Sequence, residues 1–233
     1  TALFFNNFEY YIYGLLMNIF FFIDRIVAWT GDSINNYFFL VFYEKNYEIG
    51  MDISILFYLL LAGTLELSAS YFVKLLDDNQ KTTLITNKDQ YLAKINALYK
   101  KNLILLTLFA ILIFFLMLYI MYGNWGYNKF FEEPLTNLSI RVAFMGIVSY
   151  YLLCWGMLNA LYLFTLNQKT KLIKFLFISC IVNLVIGLIA SRFISYEYSV
   201  LGLISGALTF LLLTKKENKH FFKHIDYYYY AAH

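Results

Sequence analysis

Charge is what this chain has least of. Only 14% of its 233 residues are Asp, Glu, Lys or Arg, against about a quarter in soluble domains, so polar groups cannot cover a folded surface in water. The same scarcity excludes a nucleic-acid binder, whose affinity comes from many phosphate-neutralising basic groups. Histidine occurs only as His220, His224 and His233, near the C-terminal end, which excludes an imidazole relay or histidine metal ligand at bilayer depth. The two cysteines, Cys154 and Cys180, lie inside long apolar runs and read as small buried hydrophobes. Proline occurs once, at Pro134. No Walker loop, HExxH, GxSxG or dinucleotide fingerprint is found, nor a re-entrant filter segment. The chain is therefore not expected to be an enzyme or to hold a cofactor or metal.

What is abundant is apolar surface: 61% of residues are hydrophobic and 21% aromatic. About 20 mostly apolar residues cross the hydrocarbon core as a helix, and six segments qualify. They cover residues 10–29, 53–76, 103–122, 138–166, 172–193 and 200–214. The apolar runs are continuous rather than alternating, which excludes barrel strands. The fold class is all-α, a polytopic membrane helix bundle of six transmembrane helices. Residues 1–214 form the transmembrane lobe, and residues 215–233 a basic, tyrosine-rich tail.

Lysine distribution sets a direction. Lys74, Lys81, Lys88, Lys94, Lys100 and Lys101 surround the second connection, Lys169, Lys171 and Lys174 the fourth, and Lys215, Lys216, Lys219 and Lys223 follow the last span. Asp32, Glu44, Glu48, Asp52, Glu132, Glu133 and Glu197 gather on the other side. The positive-inside rule makes the lysine side cytoplasmic and both termini internal, consistent with an even number of spans. Within residues 77–102, Leu84, Tyr91, Leu92, Ile95 and Leu98 recur near helical spacing between lysines, which predicts an amphipathic interfacial helix. Trp29, Tyr37, Tyr43, Trp125 and Tyr127 form an outer aromatic belt.

A charge at the centre of a spanning helix costs about 2.5–3.5 kcal/mol on insertion scales, so ionisable groups there are functional candidates. Glu66 lies thirteen residues into the span that starts at Ile53, about 20 Å deep. Tyr58, Ala62, Glu66 and Ser70 recur every four residues and read as one polar, small-residue stripe facing other helices or a watery cavity. It serves either a transport path or a structural acid paired within the bundle. Asp24 and Arg25 are adjacent, point about 100° apart and do not pair directly, so each needs another partner. Arg25, in line with Gly14 and Asn18, either snorkels to the outer headgroups or faces a cavity. Asn159 and Asn183 are mid-span amides of the kind that bond across helices, and Gly202 with Gly206 permits a close helix approach. The candidate transport-path residues are Glu66, Asp24, Arg25, Asn18, Tyr58, Ser70 and Asn159.

The segment Phe22-Ile-Asp-Arg-Ile-Val-Ala-Trp29, the segment from Tyr47 to Tyr58 with Glu66 following, and the closing residues Ile225 to Ala232 carry a family likeness. In these and in the order of spans and loops, the chain resembles the C-terminal half of Pel-type exopolysaccharide transporters (the PelG family) of the MOP flippase superfamily. Members of that superfamily have two six-helix lobes around a central cavity, and six spans equal one lobe. The resemblance implies a subunit of a bacterial inner (cytoplasmic) membrane that moves polysaccharide outward with a cytoplasmic glycosyltransferase and other membrane subunits. The absent initial Met fits a chain lacking the first lobe. It implies no site residues. A non-transporting scaffold that docks the synthase, and a cation-coupled drug or lipid exporter of the same superfamily, are the alternatives.

Overall fold

The computed structural model describes residues 2–31, 44–82, 88–123, 126–127, 129, 135–165 and 168–223. Tyr37, Tyr43, Trp125, Leu84, Pro134 and the tail from residue 224 lie outside the described residues. Six long helices make up the described chain: α1 (Ala2–Trp29), α2 (Lys45–Thr82), α3 (Lys88–Tyr122), α4 (Asn137–Phe164), α5 (Lys169–Phe193) and α6 (Val200–Lys223). A short 3-10 turn, Tyr196–Ser199, leads into α6. All six are long and apolar enough to cross a membrane, and no strand occurs among the described residues. The chain is therefore an all-helical, multi-pass membrane protein.

Three expected boundaries move. The second span begins at Lys45 rather than Ile53, because residues 45–52 already bury one face: Tyr47 and Met51 are fully covered while their polar neighbours lower the mean hydropathy. The expected interfacial helix within residues 77–102 is absent as a separate element, since α2 continues to Thr82 and α3 runs unbroken from Lys88 to Tyr122. The last span reaches well past Thr214, as α6 extends to Lys223.

Packing follows a simple order. α3 lies on α2, α2 on α4, α4 on α6, α6 on α5, and α5 on α1. Thr136 starts the central helix α4 by accepting the Ser139 backbone N–H at 3.2 Å from an extended conformation, an N-cap. Half of the apolar window of α4 is buried, against 22% for α3, so α4 is the core and α3 the rim. The α2–α4 seam is close: the Ser54 hydroxyl donates to the Ala143 carbonyl at 3.0 Å, and a Cβ on Gly50 would lie 2.6 Å from the Ser139 carbonyl oxygen.

Lipid tails are as apolar as Leu, so helices in a membrane associate by close backbone approach and polar bonds rather than by the hydrophobic effect. The α5–α6 seam obeys this. A Cβ on Gly202 would lie 2.7 Å from Gly187 Cα, and one on Gly206 2.8 Å from Asn183 Cβ. Beside them the Asn183 side-chain amide donates to the Phe20 carbonyl at 3.1 Å, tying α5 to α1. Asn159 accepts from the Tyr99 hydroxyl at 2.8 Å and donates to Thr214 Oγ1 at 3.4 Å, joining α3, α4 and α6. Both amides are the cross-helix bonds expected of mid-span Asn. Gly202→Ala is expected to push α5 from α6 and cost about 1–3 kcal/mol, the usual effect of overpacking. A lowered midpoint of reversible unfolding in mixed micelles checks this.

Candidate functional site

α1 and α2 run antiparallel and meet mainly at one end, through side chains. Tyr47 and Glu48 open α2 opposite Asp24 and Arg25 near the close of α1, so two adjacent residues on each helix pair in register. The Tyr47 hydroxyl donates to Asp24 Oδ2 at 2.8 Å. Arg25 donates through Nη1 to Glu48 Oε2 and through Nη2 to Asp52 Oδ1, the latter at 3.0 Å. Glu48 and Asp52 are four apart and share one face of α2, which is why one guanidinium fork reaches both. The Trp29 indole donates to the second Glu48 oxygen at 2.6 Å, and the Arg25 guanidinium lies 5.8 Å from the Phe22 ring centroid.

The cluster is graded in depth. The Asp52 side chain is 66% exposed, Arg25 and Glu48 are 10% and 6% exposed, and Asp24 and Tyr47 are completely buried. The cluster holds three carboxylates and one guanidinium, which bonds only Glu48 and Asp52, so when fully ionised it carries an excess of negative charge. Asp24 Oδ1 and the Tyr150 hydroxyl are both buried without a hydrogen-bond partner among the described residues.

Below the charges stands a column of rings. Phe21 of α1, Tyr58 of α2 and Tyr150 of α4 have centroids 5.0, 5.6 and 5.8 Å apart. Further along α1, Tyr13 meets Phe164 edge-on at 4.8 Å and Tyr10 stacks on it at 5.4 Å. Large aromatics rather than close backbones therefore fill the space between α1 and α4.

Of the seven sequence candidates, Asp24 and Arg25 form the cluster and Tyr58 adjoins it. Arg25 neither snorkels nor stands free in a cavity; it is committed to Glu48 and Asp52. The other four lie elsewhere. Residues four apart advance about 40° per step around a helix, so the stripe from Tyr58 drifts away from the seam, and Glu66 and Ser70 are exposed. The Asn102 amide reaches the Ser68 carbonyl at 3.5 Å, which sets Glu66 about one helical turn from the level of Lys101. Asn18 is exposed and its amide donates back to the Gly14 carbonyl at 2.9 Å. Asn159 belongs to the amide network at the other end of α4. Tyr47, Glu48, Asp52, Trp29 and Tyr150 were missed as site residues; Arg25's need for an anion, with two acids four apart nearby, was the available signal.

Two further arginines near helix ends are held by the protein. Arg192 donates to the Thr30 carbonyl and hydroxyl, and Arg141 lies 3.1 Å from Glu197. Among the described residues, no group of three or more His, Cys, Asp or Glu side chains is arranged to hold a metal ion.

Compared with protein-family models, curated proteins and solved structures, the chain matches none.

Tyr47→Phe removes the hydrogen bond that Asp24 accepts and leaves a buried carboxylate bare, which is expected to cost about 1–3 kcal/mol. Adding Asp24→Asn to Tyr47→Phe is expected to recover some of that loss, because the amide carries no charge. Unfolding in mixed micelles, compared across the two single variants and the double variant, measures it.

Proposed function

We propose that this chain is one lobe of a membrane transporter for an extended polar polymer, and that the α1–α2 charge cluster is the closure at one end of its path. The observation that carries this reading is the buried Arg25–Glu48 pair. A buried ion pair is no more stabilising than well-packed apolar side chains and often less, so packing alone does not explain charges within membrane-length helices. α1 and α2 touch mainly through this cluster and the Phe21–Tyr58 contact just below it. A polar contact between two otherwise separate helices is one that can open while each helix stays intact.

Polysaccharide is the cargo that the family resemblance implies. Tyr150 is fully buried against Phe21 and Tyr58, so in this reading the faces of Tyr58 and Tyr150 meet sugar rings only once the α1–α2 contact has opened. In this reading the lysine-rich end faces the cytoplasm, both termini are internal, and the membrane is the bacterial inner membrane. A cytoplasmic glycosyltransferase delivers the polymer, and a second lobe completes the path.

A second reading has its own observation. α2 and α3 are 38 and 35 residues long, about 57 and 52 Å, and so outrun a hydrocarbon core of about 30 Å. Their lysine-bearing ends make a projecting pair on which a synthase docks, with no transport by this chain.

One experiment separates the two. In cells making the polymer, Arg25→Met and Glu48→Gln are expected to cut secretion by about tenfold or more at equal membrane level, the scale of a shifted closed-to-open balance. Glu66→Gln, outside the seam, is expected to leave it unchanged. Normal secretion in the first two variants, with secretion lost on charge reversal of Lys94 and Lys101, overturns the transport reading in favour of docking.

A further inference from the structure

On the face of α4 turned away from α1, α3 and α6 stand on opposite flanks and leave a groove between them. The floor is a stripe of α4, Val148, Leu152 and Trp155, spaced four and three apart. Val148 is 51% exposed and the other two are half-buried, although half of the apolar window of α4 is buried. The walls carry exposed aliphatic side chains, Ile104 on α3 and Leu208 and Leu212 on α6. Apolar surface of this kind, open to the bilayer, accepts an acyl chain.

One end of the groove changes character. Lys215 lies with its ammonium 5.0 Å from the Trp155 ring centroid, and the Trp155 indole donates to the Tyr99 hydroxyl at 3.4 Å. The Tyr99–Asn159 and Asn159–Thr214 bonds place residues 99, 159 and 214 in one layer. Lys100 and Lys215 are the next residues along α3 and α6, so they stand level on opposite walls. Lys100 is exposed and, seven residues before Thr107, shares the α3 face whose Thr107 hydroxyl meets Tyr151 at 3.0 Å. Two cations, an indole and tyrosine hydroxyls thus stand at the end of an apolar slot, toward the lysine-bearing ends of α3 and α6.

We infer that this groove binds one anionic glycerophospholipid of the surrounding bilayer, its phosphate between Lys100 and Lys215 and one acyl chain along Val148, Leu152 and Trp155. Charge complementarity selects the occupant. A zwitterionic lipid brings its own cation to the same place, and an acidic protein segment has nothing to lay along the aliphatic floor. Basic pockets between spanning helices at headgroup depth recognise acidic lipids in this way. The site is separate from the Arg25 cluster and does not depend on the transport reading.

The test uses the whole chain in detergent, titrated with dioleoyl phosphatidylglycerol or dioleoyl phosphatidylcholine and read by native mass spectrometry. The native protein is expected to retain one phosphatidylglycerol, preferred over phosphatidylcholine by about fivefold for each lysine engaged. Lys100→Gln with Lys215→Gln is expected to abolish the preference, and Lys100→Arg with Lys215→Arg to keep it. Lys174→Gln with Lys216→Gln, equal in charge loss but on other faces, is expected to leave it intact. Equal retention of the two lipids by the native protein, or an equal loss in the Lys174 and Lys216 control, overturns the inference.

Discussion

Arg25 cannot stand alone at the depth α1 gives it. A guanidinium that does not lose its proton, 10% exposed within a spanning helix, must meet carboxylates, and α2 supplies two on one face. Much of the α1–α2 contact follows from that need. α2 has to begin as a helix at Lys45 so that Glu48 and Asp52 stack, and its opening turn has to lie against the end of α1. Once Arg25 and Glu48 are matched, the long Tyr47 side chain beside Glu48 reaches Asp24. Trp29, four residues after Arg25, then lands on the free Glu48 oxygen.

Elsewhere the bundle solves the same problem with neutral groups. Where helices approach closely, glycines and small side chains do the work, as at Gly202 against Gly187, and amides close the gaps, as Asn183 does on the Phe20 carbonyl. Where they do not approach, rings fill the space. The contrast gives the molecule a packed series, α2–α4–α6–α5–α1, whose two ends meet at α1–α2 through charges and aromatics. Close-packed seams open only as a whole, whereas side-chain contacts open singly. In the proposed transport reading, that difference lets the second kind of contact serve as a closure.

The number of spans was legible because hydropathy adds along the chain and six runs exceed the bilayer length. The start of α2 was not, since residues 45–52 alternate buried Tyr47 and Met51 with Glu48 and Asp52, and an average over that turn reads as loop. The same averaging concealed the site: Asp24 and Arg25 stood out by their cost in a span, while Glu48 and Asp52 passed for loop acids. Glu66 and Ser70 left the seam because a four-residue spacing followed over three turns departs from the face it starts on. The lipid groove was beyond sequence reading altogether, because Lys100, Trp155 and Lys215 come from three helices and become neighbours only through Asn159.

The central claim is that Arg25 and Glu48 are one energetic unit joining α1 to α2. A double-mutant cycle with Arg25→Met and Glu48→Met, read by reversible unfolding of the full chain in mixed micelles, addresses it directly. Each single substitution strands a buried charge and is predicted to cost about 3 kcal/mol or more. The double variant is predicted to cost no more than one of them. Single costs that simply add, to within about 0.5 kcal/mol, would show two independent residues and contradict the account.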